Sequence, residues 1–154
     1  MAAIDEALKG NGLALSTFVV FSRAGHAIHE KEMETIKQSG LTAMQFGVLE
    51  ALYNKGPLKI CEVMEELLTT SGNITVVVKN LERDGLIRKE QDPKDGRACK
   101  LAITEEGKKT MERVLPAHYA NIGAIFGALS DEEMRTLKEI LKKFKERTYG
   151  TNDC

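Results

Sequence analysis

Leu15, Phe18, Val19, Met33 and Ile36 recur at three- and four-residue intervals, with Ser22, His26 and His29 on the same line, and this rhythm predicts a long first helix. The Asn11-Gly12 pair predicts a turn just before it. A second apolar line, Ala14, Phe18, Phe21, Gly25 and Ile28, makes the apolar surface wider than one packed neighbour needs, so two partners are expected to cover it. Gly40 closes the segment. Thr42-Ala-Met-Gln45 then has the spacing of a capping box, in which a hydroxyl and an amide satisfy each other's backbone donors at a helix start. The second helix points Phe46, Leu49 and Tyr53 inward and stops at Gly56-Pro57, because the residue before proline avoids helical angles. Ile60, Val63, Met64 and Leu67 predict a short third helix of about two turns.

After the polar break Thr69-Thr70-Ser71-Gly72, Thr70 or Ser71 can cap a fourth helix that buries Ile74, Val77, Val78 and Leu81 and ends at Gly85. Two short helices joined by a tight turn form a helix-turn-helix. Leu86–Gln91 and Ala98–Thr104 then change period. Cys99, Leu101 and Ile103 alternate with Ala98, Lys100 and Ala102, the pattern of a strand with one buried face, and Asp92–Arg97 between them is a six-residue loop rich in turn formers. A hairpin in this position is a wing. Thr104 caps a fifth helix whose seam runs Met111, Leu115, His118, Ile122, Ile125 and Leu129, with Pro116 expected to bend it without breaking it. Ser130-Asp-Glu-Glu133 is a second capping box, and the last helix presents Met134, Leu137, Leu141 and Phe144.

The 154 residues are 42% hydrophobic and 29% charged, enough for an ordinary core, and 13 glycines with three prolines leave too few turn formers for a many-stranded sandwich. Net charge is −1, so bulk charge favours neither nucleic acid nor membrane. Its distribution says more: residues 1–69 hold six bases and nine acids, 70–104 seven bases and five acids, and 105–154 nine of each. Cys61, Cys99 and Cys154 are too widely spaced for a metal knuckle and odd in number, and are read as free thiols. No apolar run reaches the ~18 residues that cross a bilayer, and Asp5 and Glu6 stand where a signal peptide carries lysine, so a cytoplasmic protein is expected. No Walker loop, dinucleotide fingerprint, HExxH or nucleophile elbow occurs, which argues against an enzyme.

The stretch Asp95-Gly-Arg97-Ala-Cys-Lys-Leu101-Ala-Ile103-Thr104-Glu-Glu-Gly107 resembles the wing and following helix start of the MarR family of bacterial transcriptional regulators. Ser71-Gly-Asn73-Ile-Thr75 with Lys79-Asn-Leu-Glu-Arg83-Asp-Gly85-Leu86-Ile resembles its recognition helix, and the likeness covers roughly residues 13 to 147. The resemblance implies a mainly α fold: a winged helix-turn-helix over residues 41–104, flanked by dimerisation helices at 1–40 and 105–154. It further implies a homodimer on a palindromic double-stranded DNA operator, most often a repressor, with two recognition helices about one DNA turn apart. The family's wing arginine enters the minor groove, oriented by an aspartate two residues earlier, and these roles map onto Arg97 and Asp95, with Lys94 beside them at the loop tip. Many relatives have Thr-Arg where this chain has Thr75-Val76, so their operator sequence does not transfer.

With Ile74, Val77, Val78 and Leu81 inward, the helical wheel turns Asn73, Thr75, Val76, Lys79, Asn80 and Arg83 outward. Asn73 can pair with adenine, Thr75 or Val76 can touch a thymine methyl, and Lys79 or Arg83 can reach guanine or phosphate. Ser71 and the helix N-terminus can hold a backbone phosphate. The resemblance also implies release by a small amphipathic or phenolic effector in a crevice that Phe18, Phe21, Tyr53, His118 and Tyr119 could line. His26 and His29 share a helix face, but their spacing supplies no third ligand, so no metal and no cofactor is expected. The rival reading is a protein-binding winged-helix module without DNA affinity, which the near-neutral charge keeps open.

Overall fold

The computed structural model describes the backbone of residues 2–67, 71–92 and 95–148, and side chains at 8–67, 72–91 and 99–144. Its elements run α1 (Ala2–Gln38), α2 (Ala43–Lys55), β1 (Leu58–Lys59), α3 (Ile60–Glu66), α4 (Ser71–Arg83), β2 (Ile87–Asp92), β3 (Asp95–Ile103), α5 (Glu105–Phe126) and α6 (Asp131–Thr148). The predicted Asn11-Gly12 turn is absent, and α1 passes through it as one helix of 37 residues. Gly12 is not among the glycines with positive φ. A glycine inside a helix costs about 1 kcal/mol, and the cooperativity of a long helix absorbs it.

Each cap in the central region works through named atoms. Thr42 Oγ1 accepts from the Gln45 N–H at 3.2 Å while Gln45 Oε1 accepts from the Thr42 N–H at 3.0 Å, and α2 ends at Gly56 with φ +80°. α4 ends in a Schellman turn: the Leu86 N–H donates to Leu81 O at 2.9 Å and the Gly85 N–H to Glu82 O at 3.0 Å, with Gly85 at φ +72°. Ser130 and Glu133 exchange bonds of 2.8 and 3.3 Å at the start of α6. The Ser130 N–H first, and then the Ser130 hydroxyl at 2.8 Å, donate to the Glu133 carboxylate and hold it below its ordinary range.

The three strands pair antiparallel in the order β1-β3-β2. Sequence pattern misses β1, because two residues show no alternation; Leu58 pairs with Leu101 and Lys59 with Lys100. The hairpin is longer than expected, since Asp95–Arg97 belongs to β3 and not to a loop. Its register is regular from Ile87↔Ile103 to Gln91↔Cys99 and then steps to Asp92↔Asp95, so Gly96, Arg97 and Ala98 fall between paired positions on β3. The expected alternation also fails in part. Leu101 and Ile103 are buried as predicted, but Ala102 is buried as well and Cys99 is exposed.

The core joins Ile36 of α1 to Phe46, Val48, Leu49 and Leu52 of α2, Val63, the inner face of α4, Leu101 and Ile103, and Met111 and Leu115 of α5. It therefore belongs to the helix-turn-helix lobe. Only the C-terminal part of α1 reaches it: every described α1 side chain from 8 to 27 is exposed, including Leu13, Phe18, Val20 and Phe21. Ile60 is exposed, where the sequence turned it inward, and Leu141 and Phe144 of α6 are exposed too. The reading of three free thiols fails at Cys61, which is disulfide-bonded; Cys99 is a free thiol.

Candidate nucleic-acid interface

α4 separates its side chains as the wheel requires. Ile74 and Leu81 are fully buried, with Val77 and Val78 at 9% exposure or less, while Asn73, Thr75, Val76, Lys79 and Arg83 are exposed. Asn80 is only half-buried on the flank, so it is less available than the sequence suggested. Ser71 is the first residue of α4, with its side chain outside the described atoms. Gly72 beside it is exposed with nothing within 4 Å of a built Cβ, so a ligand backbone could approach the first turn closely. In the wing, Lys94 lies outside the described residues; the backbones of Asp95 and Arg97 lie on β3 and their side chains lie outside the described atoms.

Charge on this side is mostly paired. Arg83 Nε sits 3.0 Å from Asp84 Oδ1, Lys89 Nζ 2.9 Å from Glu82 Oε2, and Arg88 donates to Glu90. Lys79 has no ion pair among the described residues and stands on the outward face one turn beyond Thr75. The exposed pairs are worth little in water, so a stronger anion can displace them.

Thr104 ties the wing to the long helix that follows. Its N–H donates to Leu86 O at 3.1 Å, its hydroxyl donates to Gly85 O at 2.7 Å, and the same oxygen accepts from the Gly107 N–H at 3.1 Å. The end of α4 and the start of α5 are thus tied together.

The residues expected to line an effector crevice lie in two places within one copy of the chain. His118 is buried at 4% exposure, its ring 4.6 Å from that of Phe46 and 6.1 Å from that of Tyr119, with Nδ1 3.2 Å from Thr35 Oγ1. Tyr53 is half-buried and Tyr119 exposed. Phe18 and Phe21 stand instead on the bare part of α1, where Phe21 stacks on Phe144 at 6.4 Å, because that stretch leaves the lobe before it can pack on α2. An apolar hollow of 480 Å³ lies elsewhere, between α5 and α6, lined by Ile122, Phe126, Met134, Leu137 and Leu141. Sequence reasoning missed Thr35 and Glu50 beside His118. Burial raises the Glu50 carboxyl above its ordinary range, the His118 charge opposes that, and Glu32 adds to it. No sequence signal joins Thr35 to His118, 83 residues away.

His26 and His29 face Glu30 and Glu32 at 3.6 and 3.4 Å, and no group of three metal-ligating side chains exists among the described residues. Among the described residues no helix is long and apolar enough to cross a membrane.

Residues 39–98 match the sequence profile of the MarR family. The chain is 37% identical to the HTH-type transcriptional regulator YkoM of Bacillus subtilis over 130 residues, 84% of each protein. It is 35% identical to the HTH-type transcriptional regulator MhqR of the same organism, over 84% of this chain and 90% of that one. The solved structure of BpsR from Bordetella bronchiseptica, whose DNA binding is regulated by 6-hydroxynicotinic acid, superposes with a TM-score of 0.73 at 25% identity, over 84% of this chain and 98% of that one. An exposed recognition face on a winged helix-turn-helix, shared with such relatives, defines a DNA-binding transcriptional regulator and not an enzyme. The chain belongs to the MarR family.

Proposed function

We propose that the chain is a homodimeric repressor that covers a palindromic double-stranded DNA operator and leaves it when a small hydroxylated aromatic or otherwise amphipathic effector binds. The observation that carries the reading is the division of α4, whose apolar residues are spent on the core while Asn73, Thr75, Val76 and Lys79 face outward together. In this reading residues 41–104 hold the DNA. Asn73 reads adenine, Lys79 and Arg83 reach phosphate or guanine, Ser71 and the α4 N-terminus hold a phosphate, Asn80 supports from the flank, and Lys94, Asp95 and Arg97 of the wing serve the minor groove.

Residues 1–40 and 105–154 supply the dimer. About twenty residues of α1 expose Leu13, Phe18, Val20 and Phe21, and the stacked Phe21–Phe144 pair joins that face to α6. An isolated helix with such a surface is poorly stabilised in water, and a second copy related by a two-fold axis would cover it. The effector reading is supported by the ligand of BpsR and by the polar group of Thr35, Glu50 and His118 beside Tyr119, where α1, α2 and α5 meet. A ligand that binds better to a lobe spacing unsuited to DNA shifts the population by its differential affinity.

Selection of the full-length protein on random duplexes tests this, combined with sedimentation. The expected result is a dimer that enriches an inverted repeat with half-sites about 10 base pairs apart. Arg97→Ala should weaken binding and lower the salt slope by about one for each phosphate it neutralises. A monomer at working concentrations, or enrichment of no sequence, overturns the proposal.

A further inference from the structure

We propose that Val76 determines operator specificity, its branched side chain resting on the C5-methyl group of one thymine in each half-site. The inference rests on the reading of α4 as the groove-facing helix and assigns a base to a position that carries no hydrogen-bonding group.

The core does not need Val76. Ile74, Val77, Val78 and Leu81 already close the inner face of α4, and Val76 points away from them at 58% exposure. Among the described residues of the lobe, 41–104, Ile60 and Val76 are the only large apolar side chains that are exposed, and Ile60, at 37%, lies on the edge of α3. The other exposed apolar side chains belong to α1, α5 and α6. Nor does helix stability call for valine, since a β-branched residue loses side-chain freedom in a helix and Ala, Lys or Arg would serve better. A single apolar side chain is also too small to make a protein-docking patch.

What such a side chain can recognise in the major groove is limited. Bases offer donors, acceptors and one apolar feature, the thymine methyl, and this feature helps to distinguish A·T from T·A and from both G·C orientations. The neighbours fit. Asn73, Val76 and Lys79 stand three residues apart along the exposed face, an amide, an apolar group and a cation in sequence. Three helical residues advance about 4.5 Å, close to the step between base pairs, so Asn73 on an adenine would leave Val76 over the same or the adjacent pair. Having no charge, Val76 adds nothing to the salt dependence of binding.

The test replaces each thymine of the selected operator in turn by deoxyuridine, in both half-sites, and measures affinity at two salt concentrations for the wild type and for Val76→Ala. At one position per half-site, uracil should weaken the wild type about fourfold for each methyl removed, the equivalent of one buried methylene. Val76→Ala should bind the thymine and uracil duplexes alike, with an unchanged salt slope. The uracil arm alters only the DNA and so does not depend on how the variant folds. A wild type indifferent to every uracil, or a Val76→Ala protein that keeps the full uracil penalty, overturns the inference. If no duplex is enriched at all, the DNA reading itself fails, an outcome distinct from an enriched operator that is blind to uracil.

Discussion

Gly107 is the third residue of α5, and replacing it by alanine places a carbon where the fold has none to spare. The new Cβ would lie 2.2 Å from the carbonyl oxygen of Leu86 and 2.7 Å from Ile103 Cγ1. Real contacts of this kind stay above 3.0 Å, so backbone must retreat by about 1 Å. Neither side yields easily. The Leu86 carbonyl accepts from the Thr104 N–H, the Leu86 N–H is fixed in the Schellman turn, and Gly107 is itself bonded to the Thr104 hydroxyl. Overpacking against side chains costs about 1–3 kcal/mol, and a clash with backbone falls at the upper end. Alanine recovers about 1 kcal/mol of helix propensity, which leaves a net loss of about 2 kcal/mol. Urea unfolding followed by circular dichroism, at one protein concentration for wild type and variant, measures it. A midpoint at or above that of the wild type would refute the close approach of α5 to the end of α4.

The same substitution should have opposite signs at two other glycines. Gly12→Ala should stabilise by about 0.5–1 kcal/mol because the position is helical, whereas Gly85→Ala should destabilise by about 1 kcal/mol or more because φ there is +72°. Loss of stability in Gly12→Ala would restore a turn at Asn11-Gly12. Glu50 has a folded-state pKa above its ordinary value of 4.5, so the stability it contributes is complete below that value and is lost as pH rises through the folded pKa. Glu50→Gln should therefore gain on the wild type from pH 4 to pH 7; denaturant midpoints separated by the same gap at both pH values would contradict the burial of that carboxylate.

The helix-turn-helix lobe was legible because its residues decide locally. The Thr42/Gln45 and Ser130/Glu133 boxes, the Gly56-Pro57 stop, the Gly85 terminus and the four-residue inner stripe of α4 are short-range patterns, and each is realised at the predicted position. What escaped depends on contacts distant in sequence. β1 exists only because Leu58 and Lys59 find β3, and the Thr35–His118 bond spans 83 residues. The residues proposed for the effector crevice fall in two places within one copy of the chain for a related reason. Periodicity gives the face of a helix but not where along its length a neighbour ends, so it does not show that Phe18 and Phe21 lie beyond the stretch of α1 that reaches the core.

That departure bears on how a signal could travel. α5 is joined rigidly to the wing and α4 through Thr104, Gly85 and Gly107, so the recognition face follows α5. α1 meets α5 through Thr35 at His118 and through Asn121, whose side-chain amide donates to Lys31 O at 2.8 Å. In the proposed dimer, α1 beyond that point belongs to the interface between copies. The seam between α1 and α5 is therefore where a lobe would pivot against the dimer body, and Glu50, its carboxyl raised by burial, feels the charges of His118 and Glu32 there. A ligand held in that seam needs to favour one pivot angle by about 1–3 kcal/mol to change DNA affinity 5- to 150-fold, and linkage then requires operator DNA to weaken the ligand by the same factor. Measuring effector affinity with and without operator tests the coupling: equal affinities would mean that the seam and the recognition face are not linked.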